Sequence, residues 1–385
     1  MAYVLKLFDT PLVTFEMASQ GRSFTVETLS VERDCADLLP LGWATSGKYD
    51  CGLNEVSVDL SNWLERRAIP SNRAYVNGFL ARLGLSEYDK EGIIALCKGL
   101  SLNDCYWVDD AQHPSSFANV NLYDNKLSRT LASLAFTGEG KRWSQRFAST
   151  PELTTNGALA KCWRRIDGRI FLYKEGSIGA RNTGNEPLSE FYAAQVAEAM
   201  GLNHVAYVPT KWNGHFCSSC QLFTSKQYGF VSAGSLVGRG GFAAAVEYYG
   251  RLGEEYSEAL ADMVVFDAVV RNRDRHLGNF GLLVDNEKNR IVAPAPLFDH
   301  GLSLFPFAMG EDFDDLDLIA NQTYPAEYES FDDQAMAMMG KRQRQKLQAL
   351  HDFTFKKHVR YNWPDYRLKA VESFIQHRSR KLLHA

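Results

Sequence analysis

Asn272-Arg-Asp-Arg-His-Leu-Gly-Asn279, followed at residues 297–301 by Leu-Phe-Asp-His-Gly, decides how this chain is read. Asn279 follows Asp274 by five positions, and Asp299 lies 20 beyond Asn279. Transfer of a phosphoryl group needs a carboxylate to take the proton of the incoming hydroxyl, and hard oxygen ligands for Mg²⁺. An Asp-x4-Asn loop followed by a strand-borne Asp-x-Gly supplies both. On this reading Asp274 is the base, and Asn279 with Asp299 are the metal ligands. Arg275 and His276, inside the loop, hold it or steady charge on the moving phosphate, and His276 is counted as a catalytic candidate. His300, beside Asp299, is assigned to orientation rather than chemistry.

Upstream, residues 160–165 and 169–174 read as two strands joined at Asp167-Gly168, a pair that suits the turn of a tight hairpin. Lys174 ends the second strand, where an ammonium can reach the α- and β-phosphates of a nucleotide. A helix is expected over 187–200, with Pro187 in its first turn and Gly201 as its stop. Glu190 in that helix is the preferred partner for Lys174. Glu186 is the rival, where a carboxylate would only favour the helix N-terminus. Thr155, Asn156 and Gly157 precede the hairpin, and small residues there can cover phosphates with backbone N–H groups. The plainer reading of that stretch is a simple turn.

The rest of the chain sets limits. Its 385 residues are 45% hydrophobic and 23% charged, an ordinary globular make-up that supports a sizeable core. A net charge of −4 gives no strong nucleic-acid signal. The opening Met-Ala-Tyr-Val-Leu-Lys-Leu-Phe-Asp reads as a strand rather than an export signal, and no apolar run reaches the length of a membrane span. Seven cysteines without such a signal fit reduced thiols, so a cytoplasmic protein is expected. The one CxxC, Cys217-Ser-Ser-Cys220, has no second pair and no spaced histidines for zinc, and reads as strand cysteines.

Helices are expected at 53–68, 72–83 and 89–100, inside an N-terminal α/β unit at 1–125. Residues 126–160, rich in Ser, Thr and Gly, read as a linker. They open an ATP-binding small lobe at 126–225, and 226–385 is the large lobe. The large lobe carries a helical stretch over 242–270 and a loop-like acidic segment at 306–333. Residues 311–317 lack calcium-loop spacing, and 341–346 reads as a solvated helix face. The expected fold class is α+β: a two-lobed protein-kinase-like fold, strand-rich small lobe and helical large lobe, with an N-terminal α/β extension.

From residue 150 to 380 the chain resembles the HipA-like Ser/Thr protein kinase family. The resemblance is carried by Asn156-Gly157, Phe171-Leu-Tyr-Lys174, Ser189-Glu190-Phe-Tyr with Gly201-Leu202, Asn272-Arg-Asp-Arg-His-x-x-Asn279 and Phe298-Asp-His-Gly301. It implies ATP and Mg²⁺ as cofactors and a protein Ser or Thr as acceptor. Lys174 then serves the ATP phosphates, Asp274 is acid/base, Asn279 and Asp299 hold the metal, and Gln221-Leu-Phe223 falls at the adenine-binding hinge. It further implies a toxin of a toxin–antitoxin pair, an antitoxin partner, and an aminoacyl-tRNA synthetase or other translation factor as substrate. Silencing by autophosphorylation of the phosphate-covering loop has Ser149, Thr150, Thr154 and Thr155 as candidates here. The same Asp-Arg-His-x-x-Asn order is similar to that of phosphatidylinositol kinases, so a lipid or small-molecule kinase is the alternative. Such an enzyme would want a basic membrane-facing segment, whereas 306–333 is acidic. A silent nucleotide-binding regulator is the third reading, set against four chemically competent positions at Lys174, Asp274, Asn279 and Asp299.

Overall fold

Tyr3, Leu5 and Leu7 alternate along the first strand and turn one face inward. In the computed structural model, which describes residues 1–140 and 150–384, this strand is β1 (Ala2–Leu7). It pairs antiparallel with β2 (Thr10–Gln20), β3 (Ser23–Val31) adds beyond β2, and β4 (Tyr106–Asp110) closes the other side, in the order β3-β2-β1-β4. Leu5 stands opposite Val13 on β2 and Val108 on β4, so the buried rows coincide across the sheet.

A 3-10 turn (Arg33–Leu38) and three α-helices separate β3 from β4. α1 (Leu53–Arg66) buries Val56, Leu60 and Leu64, one stripe at helical spacing. α2 (Val76–Leu83) stops at Gly84, whose φ of 77° takes the left-handed cap. α3 (Lys90–Cys97) starts on Asp89, whose side chain accepts from the Gly92 amide. α4 (Phe117–Val120) is a single turn.

The linker expected at 126–160 holds a helix, α5 (Arg129–Thr137). Ser128 accepts from the Leu131 amide, and Leu131, Ala132, Leu134, Ala135 and Phe136 are buried. Two of the small residues that suggested a linker, Ser128 and Gly138, are the caps of this helix. Leu131 and Leu134 join Phe79, Leu80, Ile93 and Leu153 in one apolar cluster. Full burial contributes roughly 1.5–3 kcal/mol for each such large side chain.

The hairpin β5 (Lys161–Ile166) and β6 (Arg169–Glu175) turns at Asp167 and Gly168, both at positive φ, as the Asp-Gly pair required. Beyond it come α6 (Glu186–Ala199), with its proline in the first turn, and a second hairpin of β7 (Tyr207–Trp212) and β8 (His215–Gln221). Cys217 and Cys220 are both on β8. Residues three apart on a strand face opposite sides, so they share neither a zinc ion nor a disulfide. β9 (Tyr228–Ser232) leads to α7 (Ala233–Val237).

The expected helical stretch over 242–270 is two helices, α8 (Gly241–Leu252) and α9 (Glu254–Val270). They part at Gly253, whose φ of 126° side-chain-bearing residues rarely adopt. Every residue of α9 from Leu260 to Val270 is buried. The hairpin β10 (Gly281–Asp285) and β11 (Arg290–Pro294) follows.

The segment 306–333 is not loop throughout. It contains α10 (Leu316–Asn321), capped by Asp315 on the Leu318 amide, and the start of α11 (Phe331–Met338), capped by Ser330 on the Asp333 amide. α12 (Lys341–Gln348) and α13 (Asp365–His384) complete the chain. α12 is only partly solvated: Gln343 is buried, and Lys346 Nζ meets Asp262 at 2.5 Å.

The architecture is α+β. It resolves into two compact units, one of Met1–Lys174, Thr224–Val231 and Leu283–Val292, the other of Glu175–Phe223, Ser232–Leu282 and Ala293–Ala385. Among the described residues no helix is long and apolar enough to cross a membrane, and no cysteines form a disulfide.

Candidate active site

In the second unit one arginine organises the loop that follows α9. Arg275 is 1% exposed, and its Nε and Nη2 donate to the two oxygens of Asp267 at 2.9 and 3.1 Å. Its Nη1 donates to the carbonyls of Asn279 at 2.8 Å and Phe298 at 2.6 Å. Nη2 also lies 3.2 Å from His300 Nδ1. A planar fork with five N–H donors can bridge three segments in this way, and a lysine cannot. Burial pushes the Asp267 carboxyl up, and the charge and hydrogen bonds of Arg275 oppose it.

The loop closes on itself around Asp274. The Asp274 amide donates to Asn272 Oδ1 at 3.2 Å, and Asn279 Nδ2 donates to the Asp274 carbonyl at 2.8 Å. The amide nitrogen of Asn279 is thereby engaged inside the loop, and its oxygen is the end suited to a cation. His276 is exposed, and its Nδ1 accepts from the Gly278 amide at 3.0 Å, which shapes the turn.

Asp299 sits next to Phe298 at a φ of 56°. Its amide donates to Tyr207 Oη at 2.9 Å. Burial first, then the charges of Glu190, Cys220 and Asp299, hold the Tyr207 hydroxyl well above its usual range, so it keeps its proton. Glu190, 1% exposed on α6, accepts from Ser218 Oγ. Phe298 and Phe223 lie with ring centroids 5.5 Å apart, against Ala194, Val205 and Tyr207. The second unit therefore brings Asp274, Asn279, Asp299, Glu190 and Phe223 into one connected neighbourhood. Gln221 is exposed at the end of β8, and Glu186, the rival to Glu190, is also buried.

The first unit carries Lys174, which is buried and stands opposite Lys161 across the β5–β6 hairpin. It also carries Thr155, Asn156 and Gly157. Their three carbonyls accept from Arg73, Gly157 from Nε, Thr155 and Asn156 from Nη2, the last at 3.0 Å. Lys161 Nζ donates to the Asn156 carbonyl at 2.8 Å, and the Ala74 amide donates to the Ala158 carbonyl at 2.8 Å. Thr155 Oγ1 donates to the Pro151 carbonyl and accepts from Trp163 Nε1 at 2.9 Å. Gly157 has a φ of 97°, and a Cβ there would come within 2.3 Å of Lys161 Nζ.

Glu152, 0% exposed, underlies this loop and accepts from the Trp163 amide at 2.8 Å. Burial pushes its carboxyl up to about 8 and lowers the Arg73 guanidinium to about 10, so Arg73 stays charged at neutral pH. Sequence reasoning passed over both residues, since an isolated Arg and Glu in polar stretches carry no periodic signal. Of the candidates for loop phosphorylation, Ser149 lies outside the described residues. Thr150 and Thr154 are buried, and Thr154 Oγ1 donates to the Leu100 carbonyl at 2.6 Å.

Among the described residues no group of three or more His, Cys, Asp and Glu could hold an ion by itself. An Asn–Asp pair is the donor set for Mg²⁺ that takes its remaining ligands from phosphate and water.

No family model matches the chain, and no curated protein matches it. Solved structures do match. The HipA of the Shewanella oneidensis MR-1 toxin–antitoxin system, solved with HipB and its operator DNA, aligns over 98% of this chain and 97% of its own, with a TM-score of 0.57 at 10% identity. The chain has the HipA fold. The Helicobacter pylori proinflammatory kinase CtkA aligns over 60% of this chain and 90% of its own, with a TM-score of 0.46 at 17% identity. At such identities the HipA likeness speaks for the fold, and chemistry has to rest on the residues themselves.

Proposed function

We propose that this chain is a Mg·ATP-dependent, HipA-like kinase that moves the γ-phosphate of ATP to a Ser or Thr of a protein. The observation that carries the reading is the Arg275 hub, which holds the carbonyls of Asn279 and Phe298 on one nitrogen. The two proposed metal ligands, Asn279 and Asp299, are thereby fixed relative to each other and to Asp274. Asp274 takes the proton of the attacking hydroxyl. Asn279 and Asp299 would hold Mg²⁺, which when bound neutralises charge on the β- and γ-phosphate oxygens. Lys174 serves the α- and β-phosphates, while the amides of the 155–157 loop cover the phosphates. Phe223 offers an apolar ring to the adenine and Gln221 stands beside it. His276 keeps the loop in shape.

The likeness to a HipA solved with HipB supports an antitoxin partner, and we extend the proposal to a cytoplasmic toxin acting on a translation factor such as an aminoacyl-tRNA synthetase. The test is incubation with γ-labelled ATP and Mg²⁺, alone and with a cytosolic lysate, beside Asp274→Ala. Label on the chain or on a lysate protein, absent from the variant, supports a protein kinase. No label on any protein while ATP still binds sinks the reading.

A further inference from the structure

The loop at 155–157 contains one glycine where a phosphate-covering loop usually relies on several. Something other than glycine content must set its backbone. Three successive carbonyls, those of Thr155, Asn156 and Gly157, all turn toward the buried Arg73 side chain. Among the described residues there is no cis peptide, and in a planar trans peptide the N–H points opposite to the carbonyl. The amides of Asn156, Gly157 and Ala158 are therefore turned to the side away from Arg73. Among the described residues none of these three amides donates a hydrogen bond. Successive free N–H groups on one side of a loop form a concavity for anions.

Three further observations show that the arrangement is built. Arg73 is 3% exposed, deep enough that its desolvation must be answered by the carbonyls it binds. The next residue, Ala74, pins the far end of the loop through its amide on the Ala158 carbonyl. Lys161 adds a second cation on the same side, at the Asn156 carbonyl.

We propose that Arg73 is a positioning residue for the nucleotide: it fixes the 155–158 backbone so that three amides face the polyphosphate of ATP. This assigns a task to the N-terminal stretch, whose role the sequence left unread, and it rests on the proposed kinase reading. Arg73 does not touch the nucleotide. It acts through peptide orientation, and its charge sits behind the loop.

The experiment compares binding of ATP and of adenosine to the full chain and to Arg73→Met, which keeps apolar bulk and removes the fork. Adenosine lacks the phosphates, so a general loss of structure weakens both ligands while loss of the loop's orientation weakens only ATP. The expected result is at least a roughly tenfold loss for ATP, equivalent to about 1.4 kcal/mol, with adenosine unchanged. Arg73→Lys, which keeps the charge but not the fork, should recover part of the loss, and it replaces Arg73→Met if that variant fails to fold. An unchanged ratio of ATP to adenosine affinity in a folded variant overturns the assignment of Arg73 and leaves the kinase reading standing. A parent protein that binds adenosine and ATP equally, or neither, overturns both.

Discussion

Two buried arginines hold two loops in this molecule, and they do it differently. Arg275 has a bidentate carboxylate partner in Asp267, both nearly without solvent exposure. Among the described residues Arg73 has no such pair. It spends its fork on three carbonyls, and the nearby Glu152 carboxyl is pushed up to about 8 by burial. The first arrangement locks one charge to another and braces the loop that carries the proposed metal ligand Asn279. The second keeps a net positive charge beneath a loop proposed to meet an anion. The same side chain thus serves as a closed strut in one unit and as a charged support in the other.

The comparison can be broken at several points. Asp274→Ala should reduce phosphoryl transfer by roughly 10²–10⁴-fold, the usual weight of a general base, with ATP affinity retained; a label-transfer assay reads it. Asp267→Asn should destabilise the second unit by about 3–5 kcal/mol, because it strands the buried Arg275 charge. Urea unfolding measures this, and a variant as stable as the parent would show the Arg275 pair to be dispensable. Gly157→Ala should lose roughly 1–3 kcal/mol, since it forces a side chain into a positive φ against Lys161.

Glu152→Gln gives the smallest effect and the sharpest contrast with Asp267→Asn. The Glu152 carboxyl titrates near 8 when folded and near 4.5 when not, so between those values the folded state holds a proton the unfolded state has released. Its contribution to stability is fully present below about pH 4.5 and is lost as pH rises toward 8. Near pH 5 the variant should match the parent to within about 1 kcal/mol, since an amide replaces a neutral acid. Above pH 8 it should be the more stable of the two. Melting temperatures across that range decide it, and parallel curves would show that Glu152 is ionised throughout.

A candidate site could be proposed where chemistry is concentrated in sequence. Asp274, Arg275, Asn279 and Asp299 lie within 26 consecutive residues, counting from 274 to 299, and the turn at Asp167-Gly168 follows from the two residues that make it. Arg73 lies 82 to 84 positions before the carbonyls it binds. Nothing in a single chain links a lone arginine to a loop so far away. α5 was hidden because the Ser, Thr and Gly of 126–160 read as a linker until Ser128 and Gly138 are seen to cap a helix. The division of α8 from α9 turned on the φ of one residue, Gly253.

The way the chain threads the two units bears on how it is made. Met1–Lys174 leaves the ribosome first, but the first unit also needs Thr224–Val231 and Leu283–Val292. Domains fold from the N-terminus as they are synthesised, at about 5–20 residues per second. At that pace the first unit waits roughly 6–24 seconds between the emergence of residue 174 and that of residue 292. Through that interval the carbonyls of Asp37, Leu39 and Asn103, which Asn289 and the Phe230 amide will meet, wait for their donors.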